Sequence, residues 1–152
     1  MSDVSRRGFW TDFAGREAVG SDAVLLLGRV LMAAIFLNGG FHKLMGLDGF
    51  AGYLAGHGVP VGAYPIAVLA ACVEFFGALC VLLGFGTRYA ALLLALFTAV
   101  AALIAHRFWE IPDAAQYTNQ MNHFMKNVTM VGGFLVLYAT GPGRLSIDRR
   151  LG

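Results

Sequence analysis

Charge is what this chain has least of. Only 13% of its 152 residues are Asp, Glu, Lys or Arg, about half the share usual in a soluble domain. A net charge of +2 spread over eleven basic and nine acidic residues leaves no basic surface of the kind that holds nucleic acid, which excludes that class of partner. Cysteine is nearly as scarce. Cys72 and Cys80 lie eight residues apart on one predicted helix, about 12 Å along its axis, whereas a disulfide needs Cα atoms within about 7 Å. They cannot pair with each other and read as small packing residues. No HxH, HExxH or CxxC pattern occurs, so no metal site is indicated, and with no haem, flavin or iron–sulfur motif any redox chemistry must use a borrowed cofactor.

What is present is apolar length. With 58% hydrophobic residues and a mean hydropathy of +0.68, the composition predicts an all-α membrane protein of one domain. Four segments, 22–45, 64–85, 88–105 and 122–140, reach the roughly 17–25 residues that a bilayer crossing requires, and they predict a four-helix transmembrane bundle. Lys126 and Asn127 interrupt the last. Eight of the eleven Lys and Arg residues (Arg6, Arg7, Arg16, Arg29, Arg88, Arg144, Arg149 and Arg150) fall at one side of this arrangement. The excess of positive charge on the cytoplasmic side of membrane proteins then predicts cytoplasmic termini and a multi-pass protein of a bacterial plasma membrane.

Between the crossings the sequence is punctuated. The tail 1–21 mixes Arg6, Arg7 and Arg16 with Phe9, Trp10 and Phe13, a pattern for a cytoplasmic segment lying on anionic headgroups. Its Ser5-Arg6-Arg7 start resembles a twin-arginine signal, but Asp12, Glu17 and Asp22 precede the apolar run and no small-residue cleavage site follows it. In 47–60, Phe50, Tyr53 and Leu54 share a helical face, which predicts a short interfacial helix between spans one and two, ended by Gly56, Gly58 and Pro60. Gly84-Phe85-Gly86-Thr87-Arg88 forces spans two and three into an antiparallel hairpin. Span three is Ala and Leu apart from Thr98, its alanines read as close-packing positions, and function is not expected on it before His106. The outer loop 106–121 reads as ordered surface at the membrane edge.

Against this background Glu74 stands out. It is the one charged residue within 65–83, and a charge at such depth costs at least about 2.5–3.5 kcal/mol, so it must face the bundle and find a partner. Measured from the outer end at about 1.5 Å per residue, Lys43 lies about 3–5 Å deep, Lys126 about 6–9 Å, Glu74 about 15 Å and Arg29 about 25 Å. Lys126 is nearest in height, and Lys43 and Arg29 remain alternatives. These four residues form a predicted intramembrane ionisable core. An ion pair that only fixes helix register is the competing reading. All four histidines fall in the outer half. With His42, Lys43, His123 and Asn127 there, an outward-opening pocket could bind the polar head of a quinone. His106, Glu110 and His123 are weaker candidates for a metal.

Several motifs together resemble the DoxX family: Gly28-Arg29 at the start of span one; Gly39-Gly40-Phe41-His42-Lys43 at its end; Gly58-Val59-Pro60; Glu74 with Gly77; the Gly84-to-Arg88 turn; and Met125-Lys126-Asn127 through Gly132-Gly133 to Gly141-Pro142-Gly143-Arg144-Leu145-Ser146-Ile147-Asp148. The resemblance covers 22–151. It implies a small four-helix protein of the bacterial inner membrane, in a family named for a subunit of an archaeal terminal oxidase and thiosulfate:quinone oxidoreductase system, some of whose members look like membrane partners of redox-defence enzymes. Arg29, Lys43, Glu74 and Lys126 match its polar positions. The leading expectation is therefore a membrane subunit of an oxidoreductase or oxidative-stress system that binds a quinone, without being an enzyme alone. An anchor for a soluble redox enzyme at the cytoplasmic face is the second expectation. A small transporter, which would need a homo-oligomer to build a path, is the third.

Overall fold

The computed structural model describes residues 3–59 and 62–151, with side chains from residue 21 onward. Every regular element among them is helical: α1 (Asp3–Met45), α2 (Leu47–Gly56), α3 (Ala63–Leu83), α4 (Thr87–Ala105), a 3-10 turn (Phe108–Glu110), α5 (Ala114–Thr140) and α6 (Asp148–Leu151). Three stretches, Ser21–Met45, Ala63–Leu83 and Thr87–Glu110, are long and apolar enough to cross a membrane. They make this an all-α membrane protein. α5 is as long as these, 27 residues, but its N-terminal half is too polar to qualify by composition.

Two boundaries differ from the sequence expectation. The tail is not separate from span one at the level of the backbone, because α1 runs unbroken from Asp3; no proline occurs before residue 60 to stop it. The side chains of Arg6, Arg7, Arg16, Phe9, Trp10 and Phe13, and the whole of Pro60, lie outside the described residues. α5 starts at Ala114 rather than near 122, because the Asp113 carboxylate accepts from Gln116 N at 2.8 Å and caps the helix. Only 106–113 is left as loop. Phe108 fills it, edge-on to Tyr117 and Phe124 at 5.4 Å each.

Small residues set the packing. On α3 the buried positions Ala67, Ala71, Glu74, Ala78 and Val81 follow i, i+4, i+7, i+11, i+14, a single helical stripe that carries the carboxylate inward. α4 buries Ala90, Ala91, Leu94, Ala95, Thr98 and Ala102, so its alanines are close-packing positions and its one interior hydroxyl shares their face. Gly40 lets α1 approach α3: a methyl there would sit 2.7 Å from Phe75 N. Phe36 on α1 meets Phe134 on α5 edge-to-face at 5.2 Å, closing the middle of the bundle. α2 folds back on α3 through Ala51, Leu54 and Ala67.

The end carrying the α3–α4 turn is locked by the C-terminal segment. Ile147 N and Asp148 N donate to Leu83 O (3.2 Å) and Gly84 O (2.8 Å), and the Asp148 carboxylate accepts from Gly86 N (2.6 Å) and Thr87 N (2.9 Å), capping α4. Asp22 accepts from Arg144 N at 2.7 Å. Arg29 is 1% exposed and donates to Leu145 O. Burial pushes the Asp148 carboxyl up, but the hydrogen bonds from Thr87 and Gly86 and the charge of Arg29 outweigh it and hold the group below the ordinary carboxylate range.

Candidate functional site

The partner of Glu74 is Lys43, not Lys126. Lys43 Nζ donates to Glu74 Oε2 in an ion pair in which the glutamate side chain is almost wholly buried and the lysine side chain keeps 32% of its surface exposed. Both residues sit where glycines let α1 and α3 close in. A methyl on Gly39 would come within 2.6 Å of Glu74 Oε1, so the carboxylate lies against the bare backbone of α1. Above it, Phe50 of α2 presents its ring to Lys43 Nζ at 5.4 Å, within cation–π range. The cation is thus held from two sides.

This pair forms part of the wall of a cavity of about 530 Å³, within the range of small-molecule sites. Its lining is mainly apolar, including Ile35, Phe36, Ile66, Phe97, Ile104 and Met130. Its polar groups are few: Lys43, Glu74, Tyr53, Thr98, His106 and Asn127. α2 contributes Phe50, Tyr53 and Leu54 and lies across one side of the cavity. That helix is tied to the far loop by Arg107, whose Nη2 donates to His57 O at 3.2 Å. His57 in turn stacks on Tyr53 at 4.0 Å.

The structure divides the residues singled out in the sequence. Lys43, Glu74, His106 and Asn127 come together around the cavity. Lys126, one residue before Asn127 and about 100° round α5 from it, is exposed and does not line the cavity, and Glu74 is paired with Lys43 instead; height along the bundle suggested the Lys126 pairing, and helix rotation overrules it. Arg29 belongs to the C-terminal lock, fourteen residues and about 21 Å along α1 from Lys43. His42 is exposed, its Nδ1 donating to Asn38 O at 2.8 Å. His123 stacks on His106 at 5.2 Å without lining the cavity. As for a metal, Glu110 is turned to Arg107 at 3.3 Å and His106 Nδ1 donates to Gln120 Oε1 at 2.8 Å; no group of three His, Cys, Asp or Glu side chains among the described residues could hold an ion.

Two groups of residues were missed in the sequence. α4 was not expected to bear function before His106, yet it supplies Phe97, Thr98, Val100, Ala101, Ile104 and Ala105 to the cavity. The available signal was Thr98 itself, the single polar residue inside an Ala and Leu helix. Asp22 and Asp148 were also unassigned: Asp148 opens the short helix α6, a position where an acidic residue commonly serves free backbone N–H groups, whereas Asp22 lies within the unbroken α1 and carried no such signal.

Apolar helices long enough to span, packed around a half-open, ligand-sized cavity whose wall holds the Lys43–Glu74 ion pair, define a helical membrane protein. The chain belongs to the DoxX family, whose model matches residues 24–107. It is 40% identical over 127 residues to the inner membrane protein YphA of Escherichia coli, covering 84% of this chain and 89% of that one. With the inner membrane protein YqjF of the same organism it shares 41% over 130 residues, 86% and 93% of the two chains. A membrane protein of Mycobacterium tuberculosis, Rv3486, is 31% identical over 150 residues, 89% of this chain and 85% of that one. No solved structure matches.

Proposed function

We propose that this protein is the membrane subunit of a quinone-linked redox system and holds the head group of a quinone in the cavity between α1, α3, α4 and α5. The observation that carries this reading is the combination in one cavity of an apolar wall, suited to a ring and the start of an isoprenoid tail, with the Lys43–Glu74 pair. Lys43 supplies a charged donor to a carbonyl oxygen, the Asn127 amide supplies a second donor, and Glu74 with Lys43 forms an ionisable pair from which protons can be exchanged. Electrons come from a partner, because this chain has no redox motif of its own. A soluble redox enzyme at the cytoplasmic face fits that role.

The same proposal includes four crossings with both termini in the cytoplasm. α5 runs from the loop beside α2 back to the end where α1 and the α3–α4 turn meet the C-terminal segment, and that end carries Arg29, Arg88, Arg144, Arg149 and Arg150. Lys126 on α5 is near enough to the outer boundary for its stem to reach the headgroups.

A photoreactive azidoquinone added to membranes tests the site. Labelling of α2 and of the 97–105 part of α4, displaced by excess unlabelled quinone, is the expected result. Undisplaced labelling spread over the lipid-facing side of α5 would count against any quinone site in the bundle and favour the anchoring role.

A further inference from the structure

At the end of the bundle where the C-terminal segment crosses the α3–α4 turn, the described residues bring together five arginines, Arg29, Arg88, Arg144, Arg149 and Arg150, and two aspartates, Asp22 and Asp148. Both acids are occupied by backbone N–H groups. Asp148 accepts from Gly86 N and Thr87 N through its two oxygens, and Asp22 Oδ1 accepts from Arg144 N. Arg144 Nε comes only to 4.0 Å from Asp22 Oδ2, and 69% of that arginine side chain is exposed. Arg88, Arg149 and Arg150 are exposed too, and their guanidinium groups have no hydrogen-bond or ion-pair partner among the described residues. Beneath them Arg29, 1% exposed, donates to Leu145 O while its Nε and Nη1 have no partner. A cation with no bonded carboxylate therefore backs the exposed ones.

These charges converge on one place instead of ringing the bundle. Thr87 N and the Asp148 carboxylate are hydrogen-bonded, so Arg88 and Arg149, the next residue in each case, are neighbours across that bond. Arg88 also reaches the end of α5: a methyl on Gly141 would stand 3.5 Å from its Nη2, a position where the free carbonyls of a helix terminus favour a cation. Arg144 follows three residues after Gly141. The level in the membrane is set by Arg88, the second residue of the spanning stretch Thr87–Glu110, which puts the group where the apolar layer ends and lipid phosphates begin. Apolar side chains are left out among the arginines, Tyr89 at 84%, Leu145 at 53% and Leu151 at 73% exposed, as suits a boundary with acyl chains on one side and headgroups on the other.

We propose that this end is a binding site for anionic phospholipid, its phosphate shared by Arg88 of α4 and the arginines of the C-terminal segment. A guanidinium fork matches two phosphate oxygens, and Tyr89 and Leu145 lie against the acyl chains. A phosphate held from both segments also ties α4 to residues 141–151, so bound lipid tightens the C-terminal lock. This site is separate from the cavity and does not depend on the quinone reading.

The test uses the full chain in nanodiscs of mixed phosphatidylglycerol and phosphatidylcholine, with native mass spectrometry counting the lipids that stay bound on release. Wild type is expected to retain phosphatidylglycerol in preference to phosphatidylcholine. Arg88→Gln and Arg149→Gln should each lower that preference about fivefold, the worth of one arginine at an anionic lipid surface, and Lys126→Met, which removes one charge far from this end, should leave it within about twofold. Hydrogen exchange gives a second readout: phosphatidylglycerol slows exchange in 141–151 of wild type severalfold and has no such effect in the Arg88→Gln, Arg149→Gln double variant. An equal loss of preference in Lys126→Met would show an effect of net charge and overturn the site. Equal retention of the two lipids by wild type would overturn it as well and leave this end to an acidic soluble partner.

Discussion

Replacing Lys43 by methionine keeps the stem and deletes only the charge, which leaves Glu74, 5% exposed, without its cation. Removing one member of a buried ion pair costs about 3–5 kcal/mol. Two features hold the value here at or somewhat below the lower end of that range. Lys43 keeps about a third of its side chain, 32%, in contact with its surroundings, so less of its interaction is made in a dry interior. A carboxylate left unpaired can also take up a proton, which at pH 7 costs about 3.7 kcal/mol for an ordinary glutamate and limits the damage. The expected loss is roughly 2–3.5 kcal/mol, on the order of 5–12 °C in melting temperature for a chain of this length. The double variant Lys43→Met with Glu74→Met removes both charges and should recover to within about 1 kcal/mol of wild type, because a buried pair is often no better than well-packed apolar groups. Thermal unfolding in detergent measures all three. A single variant as stable as wild type, or a double variant as unstable as the single, would refute the pairing.

Other outcomes follow from the same geometry. Gly40→Ala drives a methyl against the Phe75 backbone and should cost about 1–3 kcal/mol, while Gly132→Ala, with nothing within 4 Å of the new methyl, should leave the melting temperature unchanged; equal effects would contradict the close approach of α1 to α3. Asp148 has a depressed folded-state pKa, so the stability it contributes is present above the ordinary carboxylate range and is lost as pH falls through the depressed value. Limited proteolysis of 141–151 should accordingly begin in wild type only in acid and in Asp148→Asn at every pH; protection of the variant at pH 7 would show the cap to be dispensable. Arg107→Ala removes the bond to His57 O and should speed hydrogen exchange in α2 severalfold while leaving α3 unchanged.

The sequence made the helices legible because their signals are local. Span three is found at 87–105 rather than 88–105, and the short helix after span one is where Phe50, Tyr53 and Leu54 placed it. Glu74 was recognisable as a buried, partnered group because cost alone compels it. Its partner was not, because Lys43, Lys126 and Arg29 differ in helix rotation, and rotation is decided by Gly39 and Gly40 meeting α3 and by Phe36 meeting Phe134, contacts between elements distant in sequence. The same holds for Arg29. Its depth suggested membership of the core, but its use depends on a C-terminal segment folding back 116 residues later. Thr98 was visible as an exception and passed over, since its meaning depends on facing a cavity walled by four other helices.

Quinone co-purifying with the protein is the most direct measure of the central claim. Wild type, Ala101→Trp, which sets an indole into the cavity wall and narrows the space, and Lys126→Met, which alters an exposed cation away from it, should be purified from native membrane without added lipid and assayed for bound quinone per chain. Near-stoichiometric quinone in wild type and Lys126→Met, and its loss in Ala101→Trp, is the predicted result. Quinone only at the level of bulk lipid in wild type, or equal retention in Ala101→Trp, would contradict a quinone site in this cavity.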